Sequence, residues 1–86
     1  MQTEYSAATV NAAKDAVRTL YNFRHDMADT LAMIDWLDLV QEIAADARRD
    51  GRKITPAEWI EMAHGADDIC DEDGLPRLFQ FEGADA

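Results

Sequence analysis

One cysteine, two prolines, four glycines and eight basic side chains are all that the 86-residue chain contains of those types, against eighteen acidic side chains. A lone cysteine, Cys70, excludes an intrachain disulfide and suits a reducing compartment. No apolar run approaches the roughly 20 residues that cross a bilayer, and the first residues lack the basic-then-apolar order of a secretion signal. A cytoplasmic location is therefore expected. Also missing are a glycine-rich phosphate loop, an HExxH or comparable metal motif, and a nucleophile with a sequence signature. Cys70 stands among acids, which raise a thiol's pKa and make it a poor nucleophile. The pair Glu58 and Glu61 could do acid–base work in principle, but surface carboxylates one helical turn apart imply no pocket. Neither His25 nor His64 has a second His or Cys at ligand spacing. The expectation is of no enzymatic activity, no cofactor and no metal.

The shortage of cations is uneven. Residues 1–25 carry three bases against two acids, a balance of +1, whereas residues 26–86 carry five bases against sixteen acids, a balance of −11. Such a surface repels nucleic-acid phosphates and anionic lipid, which disfavours direct binding to DNA, RNA or a membrane and favours a basic protein surface as partner. Nearly half the residues are apolar, so the composition is globular. The length suits one domain with one modest core, its stability supplemented by self-association or by a partner.

Hydrophobic periodicity points to an all-α fold, a small bundle of three to four helices with an extended or short-turn C-terminal tail packed on it. Val10, Ala13, Val17, Leu20 and Tyr21 recur at three- and four-residue steps, which predicts an amphipathic helix over about 6–24 with Ser6 as a cap. A second helix is expected over about 27–49. Around it, at 100° per residue, Asp35, Asp38, Glu42 and Asp46 share a stripe about 80° wide. Most of the remaining circumference is apolar: Trp36, Leu39, Val40 and Ile43 on one part, Met33, Leu37 and Ala44 extending it, and Met27, Leu31 and Ile34 on another side. A helix apolar nearly all round must be covered on several sides, so it is expected either to be the central helix or to join a dimer interface through Trp36, Leu39 and Ile43. Neither proline nor glycine marks its boundary with the first helix, which leaves open whether the two are separate or continuous with a kink.

The segment RRDGRKITPAEW, residues 48–59, has three readings. Its glycine and glutamate resemble an EF-hand loop over a dozen residues. However, the step from Gly51 to Ile54 is one residue too long, and Arg48 occupies the third position, where an oxygen ligand belongs. Four bases in six residues could suit a helix-turn-helix, yet the helix that would enter the groove carries Glu58, Glu61, Asp67 and Asp68. A helix corner fits best. Gly51 can close one helix in the left-handed conformation, and Thr55-Pro56-Ala57-Glu58 combines an N-cap, a first-turn proline and a capping-box glutamate. A third helix is expected over about 56–70, presenting Trp59, Ile60, Met62, Ala63, Ala66, Ile69 and Cys70, with Gly65 either ending it or tolerated inside it.

Five acids crowd residues 67–73: Asp67, Asp68, Asp71, Glu72 and Asp73. Like charges at a helix C-terminus oppose the helix dipole, so helix stability is no reason for them. They form either a solvated turn or a docking surface for an Arg- and Lys-rich partner. Beyond Gly74, Leu75, Phe79 and Phe81 are expected to lie across the bundle or to anchor a partner, and residues 82–86 are expected to be disordered.

These features favour a small acidic inhibitor or adaptor that docks on a basic protein surface through Asp35, Asp38, Glu42, Asp46, Asp67, Asp68, Asp71, Glu72 and Asp73. A sharper form is nucleic-acid mimicry, because the α-helical rise spaces the stripe at about 5 to 6 Å. In size and charge the chain resembles the small acidic proteins by which phages and mobile elements block CRISPR effectors or restriction enzymes. The alternative is a homodimeric assembly module that buries the surplus apolar surface around Trp36 and Ile43.

Overall fold

The structure is a computed structural model that describes residues 5–79. Phe81 and residues 82–86, for which a packed anchor and disorder were expected, lie outside the described residues. Three helices account for the fold, α1 (Ala7–Phe23), α2 (Leu31–Arg49) and α3 (Pro56–Glu72), and no strand occurs among the described residues. None of the helices is long and apolar enough to cross a membrane.

Local chemistry sets each helix end. Ser6 caps α1, its hydroxyl accepting from the Thr9 backbone N–H at 3.1 Å. Thr30 does the same for α2, accepting from Met33 N–H at 3.2 Å while donating to the Met27 carbonyl at 3.1 Å. This threonine answers the boundary question: α1 and α2 are separate helices joined by the turn at residues 24–30, and α2 begins four residues later than the apolar pattern implied. α3 starts with the complete capping box: Glu58 N–H donates to Thr55 Oγ1, and Glu58 Oε1 accepts from Thr55 N–H at 2.9 Å. Both α2 and α3 end in a Schellman motif. Gly51 and Gly74 adopt φ of 65° and 75°, and the next residue donates back to the helix, Arg52 to the Ala47 carbonyl and Leu75 to the Cys70 carbonyl.

The central element is α3, not α2 as the apolar circumference suggested. Both other helices pack against α3 and scarcely against each other. The reason lies in side-chain size. α3 buries Ala63 and Ala66 completely, and α1 buries Ala13 and Ala16, so backbones can approach closely, with Leu20, Ile60, Met62 and Ile69 filling the core between them. α2 presents one core stripe, Met33, Trp36, Ile43 and Ala47, whereas its flanking Leu37, Leu39 and Val40 remain half-buried. At burial of this extent each large core side chain contributes about 1.5–3 kcal/mol.

Gly65 lies inside α3 rather than ending it. A Cβ at this position would sit 2.9 Å from Cδ1 of Trp36, a ring that is itself 3% exposed and cannot retreat. Alanine normally gains about 1 kcal/mol over glycine within a helix, but overpacking a close site costs about 1–3 kcal/mol. Gly65→Ala is therefore expected to lower the free energy of unfolding by about 1 kcal/mol in urea titration, against the sign of helix propensity.

Candidate functional site

The nine acids expected to form a docking surface separate into two groups. Asp67 belongs to neither, because its carboxylate points inward. It is 6% exposed, and Oδ1 accepts from the backbone N–H groups of Leu78 at 2.9 Å and Phe79 at 2.7 Å. The sequence pattern placed it in a solvated cluster; in the fold it ties the segment after α3 to the core, where Phe79 is buried edge-on to the His64 ring. It cannot reach a partner without releasing two backbone donors.

Two of the remaining acids are already paired. Asp46 is half-buried and lies 3.1 Å from Arg49 Nη2. Asp71 receives both Nε and Nη2 of Arg77, at 3.2 and 2.7 Å, and this hydrogen-bonded guanidinium holds its carboxyl below the ordinary value. The corner after α2 is neutralised in the same way. Arg52 donates to both oxygens of Glu58, at 2.9 and 3.2 Å, and with help from Thr55 lowers the Glu58 pKa to about 2. Of the cations in the described residues, Arg18 faces Asp15, Arg24 stacks 4.0 Å above the Tyr21 ring and Lys14 lies over Trp59.

Asp35, Asp38, Glu42, Asp68, Glu72 and Asp73 are the second group. All six are exposed, and none forms a direct ion pair among the described residues. Asp38 and Glu42 stand on the outer face of α2, and Asp73 is the C-cap of α3. Asp35 from α2 meets Asp68 and Glu72 from α3 at the rim of an open groove of about 260 Å³. Between them run Ala32, Trp36 and Leu39 on one wall and Gly65 and Ile69 on the other. The groove thus unites the two acidic stretches through an apolar strip. Periodicity could not foretell this, since it depends on which face of α2 meets α3; the one available signal was Gly65, the small residue that admits the Trp36 ring.

Trp36 and Ile43, named above as dimer or core residues, are 3% and 7% exposed within a single chain, and Trp36 Nε1–H donates to the Met62 carbonyl at 2.9 Å. Their surface is spent inside the fold. Leu39 is half-buried beside the groove. The large apolar side chains that are exposed, Tyr21, Phe23, Leu31 and Ile34, instead flank the turn between α1 and α2.

Two other hollows among the described residues bear on the chemistry. One, of about 130 Å³, is an apolar space under the segment after α3, lined by Leu20, Phe23, Cys70, Leu75, Pro76 and Leu78. Burial first, and then Asp67, Asp71 and Asp73, raise the Cys70 pKa, which leaves the thiol protonated and weakly nucleophilic. The other is an open cleft of about 440 Å³ between Lys14, Val17, Arg18 and Tyr21 of α1 and Val40 and Trp59 opposite. No three His, Cys, Asp or Glu side chains converge as a metal site among the described residues.

No family model matches the chain, and no curated protein or solved structure matches it.

Asp67→Ala leaves two backbone donors of the 78–79 segment without their acceptor. A loss of about 2–3 kcal/mol is expected in thermal or urea unfolding, with Asp67→Asn closer to the parent because its amide oxygen can still accept.

Proposed function

We propose that the protein is a small acidic inhibitor or adaptor that docks on a basic protein surface. The observation that carries this is the set of seven exposed carboxylates without direct ion pairs on α2, α3 and its cap, the six above and Glu61, whereas Asp46, Glu58 and Asp71 are paired and Asp67 is turned inward. Charges left unpaired on adjoining helices repel one another and do nothing for the fold, and a cationic partner relieves that repulsion. Their field also steers such a partner and makes its association sensitive to salt.

The sharper form is mimicry of a nucleic-acid strand, of the anti-CRISPR or anti-restriction kind and of phage or mobile-element origin, acting in the cytoplasm. Asp35, Asp38 and Glu42 rise along α2 in steps of about 4.5 and 6 Å, and Asp68 and Glu72 continue the acidic face across the groove. Docking of this kind predicts that binding to a nucleic-acid-handling protein weakens steeply between low and high salt. It also predicts that Asp35→Asn, Asp38→Asn and Glu42→Gln, made together, abolish binding while the circular-dichroism spectrum and melting temperature hold. Undiminished binding by the triple variant overturns the proposal.

The exposed apolar corner favours a second reading, a homodimeric structural or assembly module. Leu31 is 79% exposed, and Ile34, Tyr21 and Phe23 lie on either side of the same turn. A dimer would use this corner rather than Trp36 and Ile43. In sedimentation velocity, a concentration-dependent dimer that Leu31→Glu disrupts supports assembly, and a monomer at every concentration excludes it.

A further inference from the structure

We infer that the α2–α3 groove receives an apolar side chain from a basic amphipathic helical segment of a partner protein, with Asp35 on one wall and Asp68 and Glu72 on the other meeting the Lys or Arg residues beside it. This rests on the docking function proposed above and narrows the partner.

A surface that only copied phosphates would need carboxylates and nothing else. Here the rim carboxylates flank Ala32 and Leu39, half-buried apolar groups that gain by being covered, above the buried Trp36 and Ile69. The floor is fixed in advance: the indole is held by its hydrogen bond to the Met62 carbonyl and lies where a Cβ on Gly65 could not fit. Little ordering is therefore required on binding. Nor must an internal ion pair be broken, because Asp35, Asp68 and Glu72 have none, in contrast to Asp46, Asp71 and Glu58.

Size and spacing select the occupant. At about 260 Å³ the groove falls below the roughly 300–1,000 Å³ of small-molecule sites and suits one or two side chains of leucine or phenylalanine size. Asp68 and Glu72 are four residues apart, one turn along α3 and about 6 Å in rise, which matches cations at positions i and i+4 of a helix lying along the groove. Helix-in-groove recognition uses such a register, apolar anchors in the seam with complementary charges at its edges.

The test titrates the ¹⁵N-labelled full chain with two synthetic helical peptides of equal length and lysine content, one with a leucine stripe and the other with alanine at those positions. The leucine peptide is expected to bind at least about tenfold more tightly, shifting the amides of Ala32, Leu39, Gly65 and Ile69 and the Trp36 indole N–H. Asp68→Asn with Glu72→Gln, both at exposed positions, is expected to weaken it about tenfold while leaving the rest of the spectrum in place. Equal binding of the two peptides, with shifts centred on Asp38 and Glu42 and absent from the groove, overturns the groove but leaves the acidic docking function standing. Failure of both peptides to bind overturns both.

Discussion

The contact between the Trp36 ring and the bare backbone at Gly65 is the constraint on which the arrangement of α2 depends. α2 attaches to the rest of the protein essentially through α3, and Trp36 is the largest side chain it buries there. The indole fits because residue 65 has no side chain, and it is oriented because Nε1–H reaches the Met62 carbonyl, a backbone group within α3. Burial supplies the larger share of the energy and the hydrogen bond supplies the direction. The same contact brings Asp35 across from Asp68 and Glu72. The candidate site is thus a consequence of core packing, with no loop built to hold it.

Charge is distributed by a comparable logic. Beyond α1, cations stand where the chain turns: Arg49 and Arg52 around the stop of α2 and the start of α3, and Arg77 beyond the end of α3. Each neutralises an acid that has local work to do. The Glu58 carboxylate, which completes the α3 cap, is held by Arg52, and Asp71 at the end of α3 is held by Arg77. Few cations remain for the middle of α2 or the outer face of α3. The negative face is therefore what is left after the turns have taken the available bases.

Much of the secondary structure could be read from the residues themselves. The helix corner at residues 50–55 followed from Gly51 and from Thr55-Pro56-Ala57-Glu58, where glycine stereochemistry and capping are local effects that need no tertiary knowledge. The start of α2 was missed because the apolar pattern runs on through Met27, and a lone Thr30 without a capping-box partner is a weak signal against it. The choice of central helix went astray for a different reason. Apolar circumference measures how much surface a helix would gain by burying, whereas closeness of approach decides which helix can be contacted from two sides, and Ala63, Gly65 and Ala66 give that property to α3. For the candidate site, the acid types and positions were legible, but their fates were not. Asp67 and Asp68 are neighbours in sequence and lie on different faces, one bonded to backbone donors and the other at the groove rim, because consecutive residues on a helix are 100° apart.

That α1 and α2 both lean on α3 also bears on how the chain is made. Most of the stability of a helix in a protein comes from tertiary packing of its apolar face, and synthesis delivers α1 and α2 before α3. Until α3 has left the ribosome, neither has a surface on which to settle, and Trp36, Met33 and Leu20 remain in water. Stable packing of α1 and α2 therefore waits for α3, and the two earlier helices depend in the meantime on their polar faces to stay apart.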